Sequence, residues 1–217
     1  MLEKPVVVLI SAVICGRIPF LLYLCVVTTE RHPLEPFLPP GATLLFLGSF
    51  PPPRERWSMD FFYPNYINDF WRVMGLVHFG DARHFERTDR KGFDRERIEA
   101  FCREHALAFF DTATAVRRLK DNASDAFLEV LEPTDVGALL AKMPRCRRIV
   151  TTGGKASEEL QGILKTAGVL VERLPAVGES LSLEAWGCKM EWWRMPSTSR
   201  AYPLSLDRKA AFYRRLF

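Results

Sequence analysis

Residues 43–53 read TLLFLGSFPPP, and the fold turns on this stretch. Thr43 to Leu47 is a short, continuously apolar run. Such a run suits a strand covered on both faces rather than an amphipathic one. Gly48-Ser49 ends it abruptly, and Pro51-Pro52-Pro53 stiffens the loop beyond. The same grammar recurs downstream. Leu107 to Phe110 is apolar and is closed by Asp111, and Arg148 to Thr152 runs into Gly153-Gly154. Val169 to Leu174 and Met190 to Met195 read as further strands. Between them lie helical patterns: Asp69 to Leu76 with Asn68 as N-cap, Asp94 to His105, Thr134 to Lys142, Lys155 to Lys165, and Leu206 to Phe217 at the end. Strand–helix alternation of this kind predicts an α/β protein, a three-layer α/β/α sandwich around a mainly parallel sheet of four to five strands. In such sheets ligands sit at the carboxyl ends of the strands. The loops Gly48–Pro53, Thr152–Lys155 and Pro196–Pro203 are therefore expected side by side on one edge.

The 217 residues are 48% hydrophobic and 26% charged. That composition excludes a disordered, collagen-like or coiled-coil chain. The net charge is +4, and the stretch from Met190 to Phe217 alone carries that much, which permits an anionic partner. The five cysteines form no CxxC pair, and their odd number argues against a disulfide framework and for a reducing, cytoplasmic setting. The four histidines, His32, His78, His84 and His105, have no metal-ligand spacing, so no metal and no cofactor are expected. Residues 1–28 form an apolar segment ahead of a domain over residues 29–217. Its central Arg17 and Pro19 weaken it as a membrane span. Three readings stay open: a start assigned too far upstream, which is preferred, a membrane anchor, or a genuine element of the domain.

Three motifs carry chemistry. The first, Gly48-Ser49-Phe50-Pro51-Pro52-Pro53, is no P-loop, because prolines have no amide hydrogens with which to cradle phosphate. It is a stiff wall, or simply a turn ending a strand. The second runs from Phe61 to Trp71 and holds six aromatics in eleven residues. Some must be core, and others suit stacking on a flat base. Asn68 offers both a donor and an acceptor, or else only caps its helix. The third, Met195-Pro196-Ser197-Thr198-Ser199-Arg200-Ala201-Tyr202-Pro203, sets hydroxyls beside a cation on a proline-braced loop. That combination suits phosphate contacts, with Met195 or a neighbour as a wedge between bases, or else it is a polar surface turn.

From about Glu30 to its end the chain resembles the uracil-DNA glycosylase superfamily, nearest its mismatch-specific and hypoxanthine (deoxyinosine) branches. Gly48–Pro52 falls where the superfamily has its water-activating G-x-[N/D/A]-P-G loop. Tyr63 with Asn68-x-Phe70-Trp71 is similar to the branch pattern Y-Y-x-x-x-x-N-x-F-W. Thr152-Gly153-Gly154-Lys155-Ala156 is similar to N-G-x-K-A, and Met195–Ser199 to L-P-S-T-S. Three departures stand out. Phe50 replaces the usual Asn or Asp, Met195 replaces the histidine of the classical enzymes, and Thr152 replaces a base-reading asparagine.

The resemblance implies a monofunctional, monomeric DNA glycosylase that needs no metal and flips a deaminated base out of double- or single-stranded DNA. Asn68 is then the catalytic candidate, with Asp60 and Asp111 as alternatives. Tyr63 stacks on the base. Gly48, Ser49, Phe50, Pro51 and Thr152 form its pocket, and Lys155, Pro196, Ser197, Thr198, Ser199 and Arg200 hold DNA. The departures keep two other readings open: a DNA-binding module of the same fold without catalysis, and an enzyme on another nucleoside or nucleic acid.

Overall fold

The computed structural model describes residues 29–119 and 127–217. The apolar segment 1–28 lies outside the described residues, and so do the three readings of it.

Two sheets organise the chain. The larger has five strands: β2 (Leu44–Gly48), β3 (Leu107–Asp111), β6 (Arg148–Thr152), β7 (Glu179–Ala185) and β8 (Cys188–Met195). Their order is β3-β2-β6-β8-β7. The first four run parallel, and β7 closes one edge antiparallel to β8. The smaller sheet, β1 (Thr29–Arg31), β4 (Ala113–Arg118) and β5 (Leu128–Pro133), is antiparallel in the order β1-β4-β5. Helices α1 (Phe70–Phe79), α2 (Arg95–Glu104), α3 (Val136–Ala141), α4 (Gly154–Thr166) and α5 (Leu206–Tyr213) complete the order.

The connection from β2 to β3 moves one way across the sheet, and those from β3 to β6 and from β6 to β8 move the other way. Right-handed crossovers in opposite directions place their helices on opposite faces, which makes the three layers. β2 and β3 are buried throughout, as expected of strands covered on both sides. Phe46 of β2 stacks on Phe109 of β3 at 5.2 Å between ring centroids and meets Phe70 of α1 edge-on. Burying one such ring contributes about 1.5–3 kcal/mol.

Elements that the apolar pattern predicts appear with shifts of a residue or two. α1 begins at Phe70 rather than Asp69, and α3 begins at Val136, where the Asp135 side chain accepts from Ala138 N–H. The final helix tightens into a 3-10 turn at Arg214–Leu216. One expectation is overturned: Val169–Leu174 is not a strand. Gly168 takes a left-handed φ of 82° after α4, and Val169 N–H bonds back to the Leu164 carbonyl. The run is the tail of a helix cap, with Val171 buried and Leu170 exposed. The strand in that region is β7, which the sequence reading passes over. It joins β8 through Trp186 (φ 52°) and Gly187 (φ 75°), a two-residue turn with positive φ at both positions.

Candidate functional site

β2 and β6 are neighbours whose following connections leave in opposite directions, so a crevice opens between their carboxyl ends. A cleft of ≈ 980 Å³ lies there. Gly48, Ser49, Phe50 and Pro51 line it from the end of β2, Asp111 from the end of β3 and Thr152 from the end of β6. Tyr63 and Asn68 line it from the segment before α1, and Ser197, Thr198, Ser199 and Arg200 from the loop after β8. The three loops expected on one edge meet here.

The proline loop is held from outside the cleft. Arg118 of β4 donates to the Pro51 carbonyl at 2.7 Å and pairs with Glu30 of β1 at 2.9 Å. Trp57 Nε1–H donates to the Pro52 carbonyl at 2.7 Å. The small sheet thus braces the first wall. Phe50 packs beside it against the cluster of Ala113, Val116 and Leu128.

The aromatic segment divides its labour. Phe61, Phe62, Phe70 and Trp71 are core. Tyr66 turns away, bonding Glu86 at 3.0 Å beneath the Arg72 guanidinium. Tyr63 reaches the cleft, and the buried Phe62 beside it also contributes to the lining. Tyr63 has a φ of 52°, a left-handed conformation that a non-glycine residue adopts at some cost. Its ring lies parallel to Phe70 at 3.8 Å, so only the opposite face and the ring edge are left for the cleft. Its hydroxyl shares a 2.8 Å hydrogen bond with Thr152 Oγ1.

Asn68 Oδ1 accepts from Phe70 N–H at 2.9 Å. The N-cap position of α1 is Asp69 rather than Asn68 as expected, and the Asp69 side chain makes no cap bond; Asn68 caps the first N–H of α1 from one residue further out, and its NH₂ is the half left for other work. In the third loop Ser197 Oγ accepts from Ser199 N–H at 3.2 Å, and Ser199 Oγ accepts from Ala201 N–H at 3.3 Å. Among the described residues neither hydroxyl donates to another group, which leaves both hydrogens as donors. α5 holds the loop from below. Tyr213 O–H donates to the Pro196 carbonyl at 3.0 Å, and Lys209 Nζ donates to the Ser199 carbonyl and to Asp69 Oδ2, both at 2.8 Å. Gly153 opens α4 with φ 103°, and a Cβ there would press on Ser197 Cβ at 3.2 Å.

Several predicted site residues lie elsewhere. Asp60 is not part of the cleft lining and pairs with Arg54 at 3.0 Å on the exposed side. Lys155 turns along α4 to Glu159 at 2.8 Å, and Pro196 precedes the lining part of its loop. Thr198 does line the cleft but is buried, and its carbonyl accepts from Asp69 N–H. Met195 is fully buried and so unable to wedge into a base stack. The exposed apolar side chain on the rim is Ile67, 56% accessible.

Two residues that the sequence did not offer as site candidates stand out. Arg56 lines the cleft from the 3-10 turn after the prolines. His32 Nε2 lies 2.9 Å from Asp111 Oδ2, with the His32 side chain only 3% exposed. The positions are 79 residues apart, and no local pattern links them. Among the described residues no group of three or more His, Cys, Asp or Glu is placed to hold a metal ion. No described helix is long and apolar enough to cross a membrane.

No family model matches this chain, and no curated protein does. A solved structure does. It is the solution NMR structure of a protein from Methanosarcina acetivorans described provisionally as a uracil DNA glycosylase. It is 21% identical to this chain, with a TM-score of 0.56, and the match covers 87% of this chain and 99% of that one. At that identity the likeness establishes a shared fold.

Proposed function

We propose that this protein is a DNA glycosylase: it takes a deaminated base out of the strand and hydrolyses the N-glycosidic bond. The observation that carries this reading is the convergence of Tyr63, Asn68, Thr152 and Ser197 on one cleft at the sheet's switch point. The neighbour from Methanosarcina acetivorans, with its provisional description, points the same way.

The chemistry asks mainly for placement. Extruding a base costs a few kcal/mol, least where it is mispaired or single-stranded. Tyr63, backed by Phe70, offers a flat face to the extruded ring. Ser197 and Ser199 donate to phosphate, and Arg200 and Arg56 supply charge at the rim. The C1′–N bond then breaks with its electron pair leaving on the base, and the sugar becomes oxocarbenium-like. The Asn68 NH₂ orients a water whose oxygen bonds to C1′. That water gives up a proton, and the departing base gains one. The positive end of α4, which begins just beyond Thr152, favours charge developing on the base.

A second reading has a specific observation behind it. Phe50 and Met195 contribute no polar group, and Asn68 has half of its amide engaged as a cap. A binding module that retains the cleft without turnover fits those facts. Abasic-site formation on duplexes carrying uracil, hypoxanthine or xanthine separates the two. The glycosylase cleaves at least one of them. Asn68→Ser, whose hydroxyl preserves the cap, lowers the single-turnover rate by roughly a hundred-fold or more. No cleavage of any of the three substrates leaves the binding module.

A further inference from the structure

We propose that His32 and Asp111 form a base-selecting pair, in which Asp111 accepts a ring N–H from the extruded base and His32 holds the carboxylate in position to do so. This inference rests on the glycosylase reading of the cleft and names the class of base it admits.

The pair is built by tertiary structure. β1 aligns against β4, and His32 continues that pairing with its N–H on the Thr114 carbonyl at 2.8 Å. The imidazole is thereby delivered to the end of β3. Nε2 meets Asp111 Oδ2 at 2.9 Å, while Nδ1 lies 3.2 Å from Leu34 N and 2.8 Å from Leu34 O. A neutral ring accepts from Leu34 N–H, and a protonated ring donates to Leu34 O. In both states Nε2 carries the hydrogen that Asp111 receives. Phe50, Phe62 and Phe110 pack around the ring and fix its plane.

Asp111 Oδ2 is committed to this bond. Oδ1 has no hydrogen-bond or ion-pair partner among the described residues, and it lies against Gly48, where an added Cβ would collide with it. The Asp111 side chain lines the cleft. It therefore presents an acceptor, held by His32, where the edge of a base would arrive.

An ionised carboxylate accepts and cannot donate. Cytosine and adenine carry a lone pair at N3 and N1 respectively. Deamination converts the exocyclic amine to a carbonyl and moves a hydrogen onto that ring nitrogen. Uracil N3–H and hypoxanthine N1–H are donors where their parents are acceptors, and xanthine shares the N1–H. One fixed acceptor therefore admits these products and repels cytosine and adenine. Thymine and guanine bear the same ring N–H, and their intact pairing in the duplex opposes their extrusion.

Binding of single-stranded oligonucleotides tests this, since no pairing energy then intervenes. Each carries one 2′-fluoro nucleotide among flanking adenines and cytosines only, so that no other base offers the ring N–H, and its fluorine opposes an oxocarbenium-like sugar and so blocks turnover. Fluorescence anisotropy is expected to show 2′-fluorouridine bound about ten- to a hundred-fold more tightly than 2′-fluorocytidine, and 2′-fluoroinosine than 2′-fluoroadenosine. Asp111→Asn, whose amide presents a donor or an acceptor, brings the ratio toward one. His32→Phe, which keeps the ring packing, lowers it as well, and His32→Gln restores it through a side-chain N–H. A wild-type ratio of one, or a ratio unmoved by both Asp111→Asn and His32→Phe, overturns the pair. Selective binding here, with no abasic-site formation on the unmodified uracil, hypoxanthine or xanthine duplexes, instead sinks the glycosylase reading and leaves the pair standing. A protein that binds none of these oligonucleotides overturns both.

Discussion

Gly48 shows how tightly single residues are constrained here. Its Cα backs onto Asp111, so Gly48→Ala must displace the carboxylate or the strand end. The expected result is a loss of about 1–3 kcal/mol of stability from overpacking, together with at least a ten-fold fall in excision. Urea unfolding and single-turnover kinetics on the same variant read the two effects separately. His78 offers a second test at this scale. Its Nε2 is buried without a partner, and its ring packs on Phe101, His105 and Phe217. Burial first, and the His105 charge second, lower its pKa from 6.5 to about 4. It sits in the last turn of α1, where the helix dipole favours the cation, so burial outweighs the dipole. Between pH 4 and 6.5 the unfolded chain binds the proton and the folded one does not. The resulting loss of stability is absent above pH 6.5, grows as pH falls and levels off below pH 4. In His78→Leu the melting temperature is expected to vary less with pH across that window.

Among the elements, α5 decides how the serine loop is carried. Lys209 is buried and joins Asp69, ahead of α1, to the Ser199 carbonyl. Lys209→Met leaves the Asp69 carboxylate buried and is expected to cost about 3 kcal/mol, the low end for a broken buried pair because Arg200 stands 3.8 Å from Asp69. The double variant Lys209→Met, Asp69→Leu recovers a good part of that loss in a double-mutant cycle. At this scale the long apolar strands and the capped helices were legible locally. β2, β6 and α2 needed only a continuous apolar run or an N-cap aspartate. β4, β5 and β7 were not legible. They are partly exposed and mix charge with apolar side chains, and their strand character comes from pairing with a distant partner. Val169–Leu174 shows the reverse error, an apolar run without a strand to pair with.

For the whole molecule, charge is used differently from what its clustering along the sequence suggests. Within the basic final stretch Lys209 is buried, and Arg215 bonds the Gly178 carbonyl and Glu179. Upstream, Arg148 likewise holds the Leu216 carbonyl. Arg200 and Arg56 are the cations that line the cleft. Few phosphates are then neutralised, and the salt dependence of duplex binding should be shallow. A slope of log K against log salt of about −2 to −4 is expected, falling by about one unit in magnitude for each of Arg56→Gln and Arg200→Gln.

The sequence by itself determined the layers and the cleft's position. Apolar runs ending in Gly48, Asp111 and Thr152 follow from local side-chain chemistry, and parallel strands leave their carboxyl ends together. It also carried Tyr63, Asn68 and Ser197 as candidates, because they lie in compact motifs. Tertiary structure alone decided which candidates share the cleft: Asp60 and Lys155 turn to nearby ion-pair partners, and Met195 faces the core. It alone joined His32 to Asp111, a contact made by the pairing of β1 with β4 across a separation that no local periodicity spans.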